Sequence, residues 1–186
     1  MKKIIALLII RLIGWKYEML IPREKIKRAV IVCAPHTSNW DFLYAILAFW
    51  GLEIPVKMFI KDSHTKVWYG FFVKWLGGIG VDRGARNDLV TYAVNLFKER
   101  EVLAILNTPE ASRAYAKQWK KGFYHIAIQA RVPIVLAYAD YSRKRTGFGK
   151  VIETENKTID EVFEEIEGFF KPEMAKYPEK YNPKIR

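Results

Sequence analysis

The sequence predicts an α/β domain with a mixed, mostly parallel sheet that is flanked by helices. Apolar runs of strand length alternate along the chain with segments in which apolar residues recur at helical spacing. Strands that alternate with helices form parallel sheets that are covered on both faces. The length, 186 residues, is that of one domain, and a domain of this size buries enough surface to fold without disulfides or metals.

The apolar runs and the helical segments give the order of the elements. Strands are predicted at residues 28–34, 55–61, 101–107, 132–140 and 149–154, with a further short strand inside the glycine-rich stretch 77–83. Helices are predicted at residues 38–50, 65–76, 88–100, 121–130 and 158–174. Ser38 or Asn39 can cap the first of these helices and Asn87 the third, because such side chains accept the unpaired N–H groups of a first turn. The loops at the carboxyl ends of the strands are the expected place for chemistry.

The first residues differ in composition from the rest of the chain. Two lysines precede seven apolar residues, Ile4 to Ile10, and Arg11 then interrupts the run. The run is too short to span a bilayer, which needs about 20 apolar residues, and no small-residue cleavage site of a signal peptide follows. We expect a short helix on a membrane surface, with Trp15 and Tyr17 at the level of the headgroups. The alternative is a helix packed on the protein's own core.

These patterns divide the chain into three segments. We expect residues 1–22 to form an apolar and basic segment that associates with a membrane, residues 23–175 to form the α/β domain, and residues 176–186 to form a polar C-terminal tail. We see no internal repeat and no low-complexity segment.

The charge balance indicates an anionic partner. The chain carries 31 Lys and Arg against 20 Asp and Glu, a net charge of +11, and 15% of its residues are aromatic. Nucleic acid, an anionic membrane surface and a phosphorylated substrate all fit this balance. The single cysteine, Cys33, excludes an internal disulfide, and the three histidines have no metal-ligand spacing, so no metal or cofactor is expected.

The stretch "VIVCAPHTSNWDF" places a histidine directly after an apolar strand and an aspartate five positions later. His36 and Asp41 can meet only if His36 lies in the loop before the helix and Asp41 in its first turn. The carboxylate can then fix the imidazole tautomer and leave the other nitrogen free as a general base. The alternative is a helix cap with an incidental histidine.

Two further stretches place polar residues at strand ends. Arg83 follows the glycine-rich turn in "GGIGVDR", while Glu110 and Arg113 follow the strand "LAILN". Arginine binds phosphate in a bidentate fashion, so a base and two arginines suggest a phosphorylated substrate. The alternative is that these are surface arginines in ordinary turns.

These stretches resemble the sequence blocks of the glycerophospholipid acyltransferases, whose best-known members are the 1-acylglycerol-3-phosphate acyltransferases. "HTSNWD" matches the family's His-and-Asp block, "GGIGVDR" its glycine-led block, "PEASR" its Pro-Glu-Gly-Thr-Arg block and "VPIV" its last block. The blocks occur in the family's order over about residues 28–142. One position departs from the pattern: Ala111-Ser112 replaces Gly-Thr. Alanine is strained there if the backbone needs a positive φ.

The resemblance implies a reaction and a set of roles. An acyl group would pass from a thioester on coenzyme A or acyl carrier protein directly to the hydroxyl of a lysophospholipid. His36 would act as base and Asp41 would orient it. Substrate-binding residues would be Arg83 and Arg113 on the acceptor phosphate, with Ser112 and Lys61 as further contacts, and Glu110 would hydrogen-bond the acceptor or fix Arg113. The implied location is the cytoplasmic face of a membrane, as a peripheral or monotopic protein with an anionic membrane surface and no nucleic acid as partner.

Two other functions remain open from the sequence. The chain could be a catalytically impaired acyltransferase-like protein that only binds lipid, which Ala111 motivates. It could also be a basic nucleic-acid-binding domain, which explains the charge and the aromatic residues but not the His–Asp pair.

Overall fold

The computed structural model describes residues 1–81 and 89–186. Within these residues the chain forms seven strands: β1 (Lys16–Met19), β2 (Arg28–Cys33), β3 (Val56–Lys61), β4 (Gly78–Val81), β5 (Leu103–Asn107), β6 (Ile134–Asp140) and β7 (Arg145–Ile152). They make one sheet in the order β1-β7-β6-β2-β5-β3-β4. Only β6 and β7 are antiparallel among the described neighbours. The predicted mixed, mostly parallel sheet is confirmed.

The helices in the described residues are α1 (Lys2–Leu12), α2 (Asn39–Gly51), α3 (Gly70–Trp75), α4 (Leu89–Glu99), α5 (Gly122–Ala130) and α6 (Ile159–Phe169). Helices α2 and α5 lie within a residue or two of their predicted positions, and α4 does so over its described residues. The helix predicted at 158–174 ends earlier because Pro172 cannot continue it. The helix predicted at 65–76 forms only at residues 70–75, after a turn of 3₁₀ helix at Asp62–His64.

The core has two layers, one on each face of the sheet. Val30 and Val32 of β2 belong to the layer that α4, α5 and α6 cover. Ile31 and Cys33, which point to the opposite face, belong to the layer that α2 covers. Strand β2 is buried on both faces, as a central parallel strand must be. Because this strand is held on both faces, the loop that follows Cys33 begins at a fixed position at the carboxyl edge of the sheet.

The segment after α1 differs from its prediction. Residues Lys16–Met19 form β1, which pairs in parallel with β7 at the edge of the sheet. Trp15 is only 5% exposed, and its ring stacks on Tyr44 with the centroids 3.7 Å apart. The prediction that Trp15 lies at headgroup level is therefore wrong. The division of the chain at residue 22 stays a prediction, although β1, which precedes it, belongs to the sheet.

Helix α1 has a buried face, as expected of a helix packed on the protein's own core, and an exposed face, whose contact with a membrane stays a prediction. Ala6 and Ile10 are buried against Leu47 of α2. We use the name apolar surface for two sets of exposed side chains taken together: Ile4, Ile5, Leu7, Leu8, Leu12 and Ile13 on and directly after α1, and Val67, Trp68, Phe71, Phe72 and Trp75 around α3. The two segments meet where the Lys2 side chain of α1 donates to the Trp75 carbonyl of α3. Across the residues that the structure describes, no helix combines the length and the apolar character needed to cross a membrane.

The C-terminal tail packs against the domain despite its polar composition. Tyr181 and Ile185 are buried. The Trp119 backbone N–H donates to the Ile185 carbonyl at 3.1 Å, and the Asn182 side-chain amide donates to the carbonyls of Ala116 and Lys117. The tail thus holds the far end of the loop that follows β5.

Candidate active site

The turn between β2 and α2 is built around one carboxylate. Asp41 is the third residue of α2, and its Oδ2 accepts the backbone N–H groups of Thr37 and Ser38 at 2.7 Å each. The Ser38 hydroxyl accepts the Trp40 N–H at 3.2 Å, which completes a capping box. Ser38 is one of the two cap residues that the sequence predicts, and Asn39, the other, is the first residue of α2. This cap fixes the chain path from the strand end to the helix and places Asp41 beneath the turn.

The same carboxylate faces the histidine. The Nδ1 of His36 lies 3.4 Å from the Oδ2 of Asp41, and the imidazole is partly exposed while the carboxylate is buried. The two side chains therefore approach each other as predicted, with His36 in the loop before α2 and Asp41 in the first turn of that helix. With Nδ1 facing Asp41, Nε2 is the nitrogen available to a ligand.

Glu110 holds the histidine from the other side. Its Oε2 accepts the backbone N–H of His36 at 2.6 Å, which joins the loop after β5 to the loop after β2. Glu110 is only 6% exposed. Burial raises the pKa of this carboxyl to about 8, the His36 N–H opposes the shift, and the nearby charge of Asp41 adds to it. The oxygen that does not hold His36 can therefore carry a proton near neutral pH.

Tyr141 supplies a third hydrogen bond to Asp41. Its hydroxyl donates to Oδ1 at 2.7 Å, and burial together with this bond raises the pKa of the tyrosine. The Tyr141 ring meets the rings of Trp15 and Tyr44 edge to face, with centroids 5.1 and 5.4 Å apart. The aromatic cluster therefore connects the end of α1 to the carboxylate that faces His36.

The imidazole stands at the wall of a cavity of about 330 Å³. Arg113 and Thr108 are among its polar lining residues. The apolar lining comes from Cys33, Phe42, Ala45, Met58, Phe59, Ile60 and Leu106. Phe42 is also 41% exposed, so the cavity opens beside a large apolar side chain. An amphiphile with an anionic group fits this combination of an apolar wall and a cation.

Cys33 lines the cavity but is not a suitable nucleophile. Burial raises the pKa of its thiol to about 12, and the charges of Asp41 and Glu110 act in the same direction. The thiolate is the reactive form of cysteine, so Cys33 is protonated at neutral pH. A structural role for this residue agrees with its burial in the core.

The other candidate residues differ in their positions. Arg113 is exposed and lines the cavity. Ser112 is exposed, and its hydroxyl approaches the Ala114 carbonyl at 3.4 Å. Lys61 is exposed at the carboxyl end of β3 and is not among the lining residues of this cavity. Arg83 lies outside the described residues.

The departure from the family pattern lies at a special backbone position. Ala111 has φ of 60°, in the left-handed region where a residue with a Cβ is strained and glycine is not. Ala111 therefore has the positive φ at which we expected an alanine in this position to be strained.

Two contributors to the site were not predicted from the sequence. Tyr141 follows directly after β6, so its place at the carboxyl end of a strand was the available signal. Tyr177 belongs to the tail, and its backbone N–H donates to the Thr37 hydroxyl at 3.3 Å. Nothing in the polar sequence of the tail indicates this contact.

Comparisons with known proteins agree with one another. The family model described as Acyltransferase matches residues 17–138. A Mycoplasma pneumoniae protein named "Probable 1-acyl-sn-glycerol-3-phosphate acyltransferase" is 31% identical over 131 residues, which cover 66% of this chain and 48% of that protein. The chain thus spans about half the length of this curated relative.

The fold also resembles a solved structure. The 1-acyl-sn-glycerophosphate (LPA) acyltransferase PlsC from Thermotoga maritima superposes with a TM-score of 0.63, covering 90% of this chain and 74% of that one at 16% sequence identity. At this identity the match concerns the fold alone.

Proposed function

The chain belongs to the acyltransferase family, and we propose that it transfers a fatty acyl group from an acyl thioester to the hydroxyl of a lysophospholipid such as 1-acylglycerol 3-phosphate. The thioester would be carried on coenzyme A or on acyl carrier protein. The observation that carries the proposal is the position of His36, with Nδ1 turned to Asp41 at the wall of an apolar cavity that also holds Arg113.

The proposed base is His36. Its Nε2 takes the proton of the acceptor hydroxyl as the oxygen attacks the thioester carbonyl. The tetrahedral intermediate then expels the thiolate, which takes the proton from the imidazolium, so the histidine returns to its neutral form without an acyl-enzyme. General-base assistance of this kind contributes about 10²–10⁴-fold to the rate.

Asp41 and Glu110 position the base in this proposal. Asp41 stabilises the imidazolium that forms during the step, and its three hydrogen-bond donors, the N–H groups of Thr37 and Ser38 and the hydroxyl of Tyr141, hold the carboxylate in place. Glu110 fixes the His36 backbone. The geometry of the base is thus set before the substrate arrives.

Arg113 is the proposed ligand of the acceptor phosphate. Its side chain lines the cavity, and a guanidinium pairs with phosphate through two parallel hydrogen bonds. We keep Arg83 as a second phosphate ligand from the sequence pattern, and Ser112 and Lys61 as outer contacts. The apolar lining would receive the part of the acceptor or the donor chain next to the reacting carbonyl.

Acyl transfer by His36 is tested by product analysis. Purified protein is mixed with acyl-CoA or acyl-carrier donors, with and without 1-acylglycerol 3-phosphate, and released thiol and diacylated product are measured. We expect release that depends on the acceptor and falls about 10²–10⁴-fold in His36→Ala, whereas His125→Ala, which changes an exposed histidine on α5, keeps it. Equal turnover in both variants would contradict the proposal.

The protein is proposed to work at the cytoplasmic face of a membrane as a peripheral protein. The apolar surface and the net charge of +11 support attachment to a membrane. Deleting residues 1–17 would also remove the buried Trp15, so the sharper variant is Leu8→Glu with Leu12→Glu on the exposed face of α1. We expect weaker sedimentation with phosphatidylcholine vesicles, and unchanged sedimentation would refute the attachment.

A lipid-binding protein with an impaired site is the second candidate, and the φ of 60° at Ala111 is the observation in its favour. In that case the wild-type chain would bind 1-acylglycerol 3-phosphate without turnover, and Ala111→Gly would turn it over. Turnover by the wild-type chain would exclude this candidate.

A further inference from the structure

A second cavity lies at the opposite end of β3 from His36. It has a volume of about 510 Å³ and lies between the first turn of α1, the end of α2, the start of β3 and the end of α3. Val56, the first residue of β3, lines it, whereas the His36 cavity is lined by residues 58–60 further along the same strand. We call it the basic cavity.

The basic cavity joins positive charge to an apolar floor. Lys2, Lys3, Lys57 and Lys74 line it, and among the described residues Glu53 is its one acidic lining residue. Glu53 is already paired with Lys3, whose Nζ lies 2.9 Å from its Oε2. The floor is formed by Phe49, Ile54, Val56 and Leu76. Three lysines thus face a cavity in which no described carboxylate other than Glu53 is present.

The charges at the cavity repel one another. Burial lowers the pKa of Lys2, and the nearby positive charge of Lys57 lowers it further. The Lys2 ammonium donates to the Trp75 carbonyl at 2.6 Å and lies 4.2 Å from the centroid of the Trp75 ring. This contact holds a cation beside an exposed tryptophan, at the border between the cavity and the apolar surface.

We propose that the basic cavity binds the phosphate group of an anionic phospholipid in the membrane on which the apolar surface rests. Lys2, Lys57 and Lys74 would contact the phosphate, and the acyl chains would lie along the apolar residues of α1 and α3. The charge selects an anion, and the continuity with the apolar surface selects an anion that carries acyl chains. The inference rests on the proposed membrane attachment, but it is independent of acyl transfer.

The site would orient the enzyme on the membrane. Helix α1 runs from Lys2 at the basic cavity to its other end near Trp15, whose ring meets those of Tyr44 and Tyr141 beside Asp41. A lipid held at the first end would fix the position of the helix whose second end packs beside the His36 turn. Attachment and the candidate active site would then lie along one helix.

The test uses monomeric dihexanoyl phosphatidylglycerol, whose phosphodiester is neither the proposed acceptor nor its product, and calorimetric titration of the full chain. We expect saturable binding that weakens about 10-fold in Lys57→Gln, because a hydrogen bond to a charged group is lost. Arg11→Gln is the matched control, since it removes one positive charge from an exposed position on α1 outside the cavity. Lys57 lies in β3, so its substitution could disturb folding. In that case Lys74→Gln, which changes an exposed side chain, repeats the test.

The outcomes separate the possible sources of affinity. Equal weakening in Lys57→Gln and Arg11→Gln would show diffuse attraction and overturn the site, as would the absence of saturable binding. Inorganic phosphate that binds as tightly as the lipid would also overturn it, in favour of a free-anion site. With vesicles, Lys57→Gln should reduce the preference for phosphatidylglycerol over phosphatidylcholine more than Arg11→Gln does. Failure of all vesicle binding would refute the membrane attachment and, with it, this proposal, even if the monomeric lipid still bound; the acyl-transfer assay would be unaffected by either result.

Discussion

The two loops that flank the His36 cavity are built in opposite ways. In the base turn, residues 34–41, Thr37, Ser38 and Asp41 are buried and joined by hydrogen bonds. In the acceptor loop, residues 111–118, the first five residues are all exposed, and the tail anchors only the far part, through Ala116 and Lys117.

This difference agrees with the two tasks that we propose for the loops. A general base must be held within a fraction of an ångström of its working position before the substrate binds. A phosphate ligand can close on its substrate, because a guanidinium on a long side chain adapts to the anion. The base turn therefore suits the chemical step and the acceptor loop suits binding, so variants in the two loops should change different kinetic constants.

The largest effect is expected in the base turn. Asp41→Asn keeps the size of the side chain but removes the charge that faces His36, so kcat should fall about 10²–10⁴-fold with little change in KM. Steady-state kinetics check this, with Asp160→Asn on the exposed start of α6 as control. A loss confined to KM would contradict the assignment of the base turn to chemistry.

A smaller effect, on binding, is expected in the acceptor loop. Arg113→Ala should lower kcat/KM for 1-acylglycerol 3-phosphate about 10- to 100-fold, mainly through KM, since a charged hydrogen-bonded pair is lost. Monoacylglycerol, which lacks the phosphate, should be used equally well by the variant and the wild type. If both acceptors lost the same factor, Arg113 would not be a phosphate ligand.

Tyr141→Phe should have a modest effect. It removes one of the three donors to Asp41 while the two backbone donors remain, so kcat should fall about 5-fold and KM should stay constant. Tyr44→Phe is the matched control, because it removes a hydroxyl from the same aromatic cluster and keeps the Tyr141–Asp41 bond. The same loss in both variants would assign Tyr141 to packing and not to positioning.

The smallest effect concerns the strain in the acceptor loop. Ala111→Gly should raise the free energy of unfolding by about 0.5–1 kcal/mol, because relief of the left-handed strain exceeds the added entropy of the unfolded chain. Ala114→Gly, in the same loop but without a positive φ, should lower the free energy of unfolding. Chemical denaturation of both variants decides the point, and a fall for Ala111→Gly would show that this alanine is not strained.

The base turn could be predicted from the sequence because its signals are local. An apolar run, a proline, a cap residue and an aspartate in the first helical turn determine the chain path over about a dozen positions. Their physical causes, burial and capping, act between neighbours in the chain, so β2, α2 and the approach of His36 to Asp41 followed from the pattern.

The other parts depend on contacts between distant positions. Strand β1 has four residues and pairs with β7, more than a hundred positions away, and no short periodic pattern predicts such an edge strand. Tyr181 and Ile185 are isolated apolar residues in a polar tail, and their burial depends on the surface that receives them. The lysines of the basic cavity lie on three different elements, so only the folded chain brings them together.

The central claim is that His36 and Asp41 act as one catalytic unit, and a double-mutant cycle tests it most directly. The acceptor-dependent kcat is measured for the wild type, His36→Ala, Asp41→Asn and the double variant, with thermal unfolding of each to confirm the fold. We predict that the double variant is no slower than His36→Ala alone, because Asp41 acts only through the histidine. Losses that multiply would contradict the account, since they would mean that the two side chains contribute independently.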